Sequence, residues 1–423
     1  MNLTERDNQY LWHPYTQHKT SKPPIAIVKG EGALVWDENN KEYIDAIASW
    51  WVNPYGHSNS FIADAIYKQL TTLEHVLFGG FTHEPAVVLA EKLMEILPEN
   101  QQKIFFSDNG STAVEVAIKV ALQYFFNKGE KRTTIIAFEN AFHGDTFAAM
   151  AASGISFYTQ AFQGMFIDVV RIPVPIKGHE QISYTALAQA IKNNKCAGFI
   201  FEPLVQGAAG MVMYEPESLD ELIRICQENK VLTIADEVMT GFGKTGKTFA
   251  MDYLVENPDM MCLSKALTGG TIPMAITTFT QDIFEAFYDE DINKALFHGH
   301  TFTANPTGCA AALASLSLLQ TSEMQAHIAR VHQSHLDFQN HIEKHPKVTT
   351  TRVLGVIFAL EIKTESSESY YGTLRNKLYD FFIENGVILR PVGHIVYILP
   401  PYIISEVQLQ KVYEVVEKAL EIV

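Results

Sequence analysis

The sequence predicts an α/β protein: a large domain with a mainly parallel sheet covered by helices, and a smaller α+β domain beside it. Three observations carry that prediction. The chain has 423 residues, 47% of them hydrophobic, enough for a large core and for more than one domain. Through its middle, apolar runs of strand length alternate with helical patterns. Such runs, separated by helices, mark strands buried on both faces of a parallel sheet. At both ends the pattern changes to a hairpin and to longer helices.

Taken in order, GALVWDENNKEYIDA reads as a hairpin with DENN as its turn. KIFFSD, from Lys103, opens the large sheet and runs into a helix, GSTAVEVAIKVALQYFFNKG. TTIIAFEN, CAGFIFEPL, VLTIADEV, MMCLSKAL and PMAITTFT are the further strands, with S-K-A read as part of a strand. SLDELIRICQENK is a helix between two of them. GCAAALASLSLL is short and rich in small residues, a packed core helix rather than a span, which needs ~18 apolar residues. After about Thr321, EMQAHIARVHQSHLDFQNHIEKH is a long helix leading to VTTTRVLGVIFALEIKT. SYYGTLRNKLYDFFIENG, the strands ILR and HIVYILPP, and ISEVQLQKVYEVVEKALEIV complete the chain. The large domain is placed at residues 56–324, the small one at 1–55 and 325–423.

The net charge of −16 argues against a nucleic-acid surface, which would cluster Lys and Arg, and reads as solubility. Cys196, Cys226, Cys262 and Cys309 form no C-x-x-C pair, so neither a zinc site nor a disulfide framework is indicated, and no metal is expected. The N-terminus, MNLTERDNQYLWHPYTQHK, has no apolar signal core. A cytoplasmic protein without nucleic-acid or membrane partners is expected.

In such sheets ligands bind beyond the C-terminal strand ends. Asp108, Glu202, Asp236 and Lys265 fall at or near those ends. The pair Asp236 and Lys265 is the most informative feature. An aldehyde cofactor needs a lysine amine to hold it as a Schiff base. A pyridine ring needs a carboxylate beside its nitrogen to keep it protonated. Pyridoxal 5'-phosphate needs both. The bland alternatives, a surface carboxylate and a solvated lysine, fit less well with VLTIA before Asp236 and apolar neighbours around Lys265.

SDNGSTAVEVAIK joins a strand to a helix through Asn109, Gly110 and Ser111. A helix start there offers N–H groups and a positive dipole end to a phosphate; alone it would be an ordinary capped turn. In AFHGDTFAAM, Phe142 is either a ring that stacks on the cofactor or a core aromatic. His143 is a base, a hydrogen-bonding core histidine or a second stacking partner. Arg390, set between apolar strands, suits a substrate carboxylate better than a surface role. Trp50 and Trp51, read as strand neighbours, would point one to the core and one to a pocket.

Together these segments resemble the class III aminotransferases, of pyridoxal-phosphate fold type I, over nearly the whole chain. LWHPYTQ, SWWVNPYGHS, LFGGFTHEPA, FSDNGSTAVEVAIK, FHGDTF, EPLVQGAAGM, ADEVMTGFGKTG, LSKALTGGT, HGHTFTANP and LRPVGHIVYILPPYII follow that family in order. The resemblance implies that Lys265 holds the cofactor and moves the proton, and that Asp236 pairs with the ring nitrogen. It implies that Gly110 and Ser111 bind the phosphate, and that His300 and Thr301 reach it from a neighbouring subunit of a homodimer. Phe142 would stack on the ring. Tyr15, Trp50, Phe142, Gly299 and Arg390 would line the substrate site.

WHPYT, the double Trp and LRP…YILPPYII narrow the implied activity to one step of biotin biosynthesis. That step transfers an amino group from S-adenosylmethionine to 8-amino-7-oxononanoate. Lysine as donor, or another class III ω-amine substrate, is the alternative. Four departures from the family pattern stand out: Phe142 for tyrosine, Lys244 for arginine, His300 for proline, and TIPMAI after the glycine pair.

Overall fold

The computed structural model describes residues 1–154, 159–364 and 372–423. Near the N-terminus, β1 (Ile27–Glu31), β2 (Leu34–Asp37) and β3 (Glu42–Asp45) pair antiparallel. The expected turn joins β2 to β3. Asp37 stabilises it by accepting N–H bonds from Asn39 and Lys41, each at 2.9 Å.

The apolar runs of the middle assemble into one seven-stranded sheet. Its members are β4 (Gln101–Ser107), β5 (Thr134–Phe138), β6 (Val169–Ile172) and β7 (Cys196–Phe201). A short hairpin, β8 (Val205–Gln206) and β9 (Val212–Met213), intervenes. β10 (Leu232–Asp236), β11 (Met260–Leu263) and β12 (Ala275–Thr280) complete the sheet. The order is β4-β12-β11-β10-β7-β5-β6, and only β12 runs antiparallel to its neighbours. The mainly parallel sheet is as expected; β6, VVRI, was not anticipated because it is short and carries an arginine.

Alternate strand residues feed two cores. Ile135, Ala137, Ile200 and Ile234 pack against Ala113, Ala117 and Ala121 of the helix Gly110–Asn127. Ile136, Phe138, Phe199, Phe201 and Leu263 face the other layer. GCAAALASLSLL lies in the helix Pro306–Leu319, most of it buried, which is what its small residues predict. No helix among the described residues is long and apolar enough to cross a membrane.

After the helix Ser322–Ile342, β13 (Val348–Leu354), β14 (Ile357–Ile362) and later β16 (Ile395–Ile398) form an antiparallel sheet. β15 (Val387–Ile388) instead joins β3 in parallel, so the two ends of the chain share one four-stranded sheet. The expected helix beginning SYYG is seen as Thr373–Glu384; Ser369–Tyr371 lie outside the described residues.

Two expectations need correction. S-K-A is not strand: β11 ends at Leu263, and Lys265 opens a 3₁₀ turn with φ 45°. Trp50 and Trp51 are not strand neighbours either. Ala48, Ser49, Trp50 and Trp51 have φ of 44°, 47°, 72° and 73°, one left-handed turn closed by Trp51 N–H to Ile47 C=O (2.8 Å) and Val52 N–H to Ala48 C=O (2.9 Å). For L-residues that geometry costs roughly 1–2 kcal/mol each. The outcome for the side chains is still divided: Trp51 is 6% exposed and Trp50 37%.

Candidate active site

Register decides where the chemistry gathers. Asp236 lies opposite Cys262, so β10 and β11 end level, and Lys265 follows three residues on. β7 ends beside β10 and leads directly into Glu202; β4 leads into Asp108. These ends open into one cavity of ≈ 840 Å³. Ligand sites commonly measure roughly 300–1,000 Å³, so there is room for a cofactor and a bulky second ligand. Tyr15, Trp50, Gly110, Ser111, Phe142, Asp236, Lys265 and Arg390 all line it.

On the floor, Asp236 is 4% exposed. Its Oδ2 lies 2.7 Å from His143 Nδ1, and its Oδ1 accepts the Val238 N–H at 3.1 Å. His143 therefore makes the hydrogen bond that one of its three readings required, and it also lines the cavity. Its Nε2 is buried with no hydrogen-bond partner among the described residues. The Lys265 amine has its pKa lowered by burial, against the opposing charges of Asp236 and Glu202. Its Nζ sits 5.0 Å from the centre of the Trp51 ring. Trp51 is anchored in turn by an edge contact with Tyr397.

Glu202 is buried and does two jobs through backbone. Its carboxylate accepts the Phe142 N–H (3.0 Å) and the Gly207 N–H (2.9 Å), which fixes the Phe142 ring against the cavity. Burial pushes its pKa up to about 7. The sequence placed Glu202 at a strand end but not this role, which depends on segments far apart in the chain.

At the far side the helix Gly110–Asn127 points its N-terminus into the cavity, capped by Asn109. First-turn N–H groups have no partner within a helix and attract anions. The Ser111 hydroxyl is held by Thr146, 2.8 Å between oxygens. The cradle is tight: a Cβ on Gly110 would lie 2.6 Å from Val238, and one on Gly144 2.3 Å from Ser111 Oγ.

The opposite wall is aromatic and cationic. The Arg390 guanidinium stacks 4.8 Å from the Trp50 ring, and Tyr15 meets that ring edge-on at 5.9 Å. Tyr15 also donates to Asp145. Arg390 makes no ion pair among the described residues, so its fork faces the cavity uncommitted. Arg375, Asp145 and Tyr397 also line the site and were not foreseen. Gly299, His300 and Thr301 do not line this cavity; Gly299 and Thr301 are exposed, and His300 Nδ1 lies 3.4 Å from Asp108.

A lysine amine, a buried carboxylate and a helix N-terminus thus converge on one cavity at the strand ends of an α/β sheet. That donor set fits a phosphorylated pyridine aldehyde: an amine for the aldehyde, a carboxylate for the ring nitrogen and a glycine cradle for the phosphate. The family model for aminotransferase class-III matches residues 15–420. The chain belongs to the class III aminotransferases. It is 42% identical to adenosylmethionine-8-amino-7-oxononanoate aminotransferase of Synechococcus elongatus, over 97% of this chain and 98% of that one. The Staphylococcus aureus protein of the same name is 34% identical, over 99% and 97%. Among solved structures, the Methanocaldococcus jannaschii protein of that name superposes with a TM-score of 0.93 at 32% identity, covering 99% and 98%. A Pseudomonas jessenii omega transaminase in complex with PMP gives 0.93 at 29%, covering 100% and 98%.

Proposed function

We propose that this protein transfers an amino group from S-adenosylmethionine to 8-amino-7-oxononanoate, giving 7,8-diaminononanoate in biotin biosynthesis, with pyridoxal 5'-phosphate as cofactor. The observation that carries the reading is Arg390, uncommitted and backed by Trp50, across one cavity from Lys265 and Asp236. The acceptor has a carboxylate at one end and its reacting carbonyl toward the other, and the cavity is lined by a guanidinium for the first and an amine for the second. The relatives' shared name points the same way.

When bound, the cofactor supplies an electron sink for the carbon that carries the amino group. The chain's own residues do the rest. Lys265, whose burial makes its amine easier to deprotonate, would take and return the proton. Asp236, oriented by His143, would keep a ring nitrogen protonated. Gly110 and Ser111 would hold the phosphate at the helix N-terminus, and Phe142 would stack on the ring. Arg390 clamps the carboxylate with its fork, and Tyr15 and Trp50 exclude water around it. Thr301, with His300, would complete the phosphate site of a neighbouring subunit, so the working form is a homodimer, placed in the cytoplasm with the pathway it serves; Gly299 would line that neighbour's substrate site. Residues 56–324 form the cofactor-binding domain, and 1–55 with 325–423 the small one.

The second reading is lysine as donor: Phe142 brings no hydroxyl to the cavity, and that departure bears on the donor more than on the acceptor. The experiment is to incubate the purified protein with 8-amino-7-oxononanoate and single donors, and to score diaminononanoate. S-adenosylmethionine should serve best. Product with lysine alone would move the donor and leave the acceptor. No diaminononanoate with any donor would sink the reading. Borohydride should fix the cofactor on the peptide holding Lys265, and Lys265→Ala should end both trapping and turnover.

A further inference from the structure

The left-handed turn Ala48–Trp51 has no glycine, although glycine alone adopts that backbone freely. Something must hold it. Asp45 is 1% exposed and lies directly before the turn. Its Oδ2 accepts the Ser49 hydroxyl at 2.7 Å and lies 3.0 Å from His57 Nε2; its Oδ1 takes the Ile47 N–H at 3.3 Å. His57 is itself seated against β1 and the residue that follows it. Its backbone exchanges two bonds with Gly32, and a Cβ on Gly30 would lie 2.7 Å from the His57 Cβ. The turn therefore ties a rigid histidine and a buried carboxylate to the indole that backs Arg390.

We propose that Asp45, Ser49 and His57 are a positioning clamp for the carboxylate end of the substrate site. They hold the strained turn so that Trp50 faces the cavity beneath the Arg390 guanidinium, while Trp51 turns inward to the lysine. None of the three touches the cavity; they act through Trp50. This rests on the reading of Arg390 and Trp50 as the carboxylate wall.

The test compares Ser49→Ala with Ser49→Gly in the holoenzyme. Both remove the bond to Asp45. Alanine leaves the left-handed strain, and glycine relieves it. Nonanoate is the probe, its affinity read by calorimetry. Ser49→Ala should bind about five-fold more weakly than wild type, the size of one lost hydrogen bond. Ser49→Gly should stay within about two-fold of wild type, because its backbone needs no clamp. Asp45→Asn should weaken binding at least as much as Ser49→Ala. Equal affinity in all proteins, equal losses for alanine and glycine, or no nonanoate binding to any, overturns the clamp. Failure of wild type to aminate the oxononanoate, with the two Ser49 variants still separated on nonanoate, overturns the functional reading and leaves the clamp in place.

Discussion

Lys244 is 1% exposed. Its Nζ donates to the Gly241 carbonyl at 3.2 Å, and no carboxylate lies within ion-pair distance among the described residues. Burial, helped by the charge of Lys265 and opposed by Glu237, lowers its pKa from 10.5 to about 7. Between those values the unfolded chain keeps the proton and the folded chain releases it, so stability rises with pH across that window. Lys244→Met should flatten the rise and add about 1–4 kcal/mol near neutral pH, since an uncompensated buried charge is replaced by packing. Denaturant melts at neutral and alkaline pH would measure it; a variant less stable near pH 7 would mean that the amine's hydrogen bond outweighs its desolvation. Asp236 differs because His143 and a backbone N–H already satisfy it. Asp236→Asn keeps the shape and removes the charge. Loss of a preorganised electrostatic contact costs about 10²–10³ in kcat. Turnover should fall by that order while the cofactor's visible band is retained, and near-normal kcat would rule out a role beside the ring nitrogen.

At the scale of elements, the helix Gly110–Asn127 supplies the proposed anion site, but a loop from the next crossover shapes it. Gly144 has φ 125° and passes so close to Ser111 that no side chain fits between them. Gly144→Ala would strain the backbone and push the Ser111 hydroxyl from Thr146. Such a distortion costs about 1–3 kcal/mol, so cofactor affinity should drop roughly 5–150-fold. Inorganic phosphate binding to the cofactor-free protein should weaken in parallel, with far-ultraviolet dichroism unchanged. Unaltered phosphate affinity would move the anion away from this helix start.

For the whole molecule, the exposed positions of Gly299 and Thr301 outside their own chain's cavity suit the proposed shared site. Thr301→Asp, which places a charge against the phosphate, and Lys265→Ala should each be nearly inactive. Mixed after partial denaturation, they should regain activity, because one hybrid site receives Lys265 from one subunit and Thr301 from the other. No recovery in verified hybrids would mean that each subunit completes its own site.

Six of the seven strands of the large sheet, the helix start at Gly110 and the meeting of Asp236 and Lys265 at one cavity were legible in the sequence. Those rest on local patterns: apolar runs, capping residues, and strand ends that a parallel sheet gathers at one edge. The rest depends on long-range packing. Lys265 takes φ 45° off its strand, and the double tryptophan winds left-handed beside the bonds of Asp45 to Ser49 and to the distant His57. Glu202 fixes Phe142 across sixty residues of chain, and Arg390 meets Trp50 because β15 pairs with β3. Such contacts depend on which distant segments the fold brings together, and no local pattern encodes that.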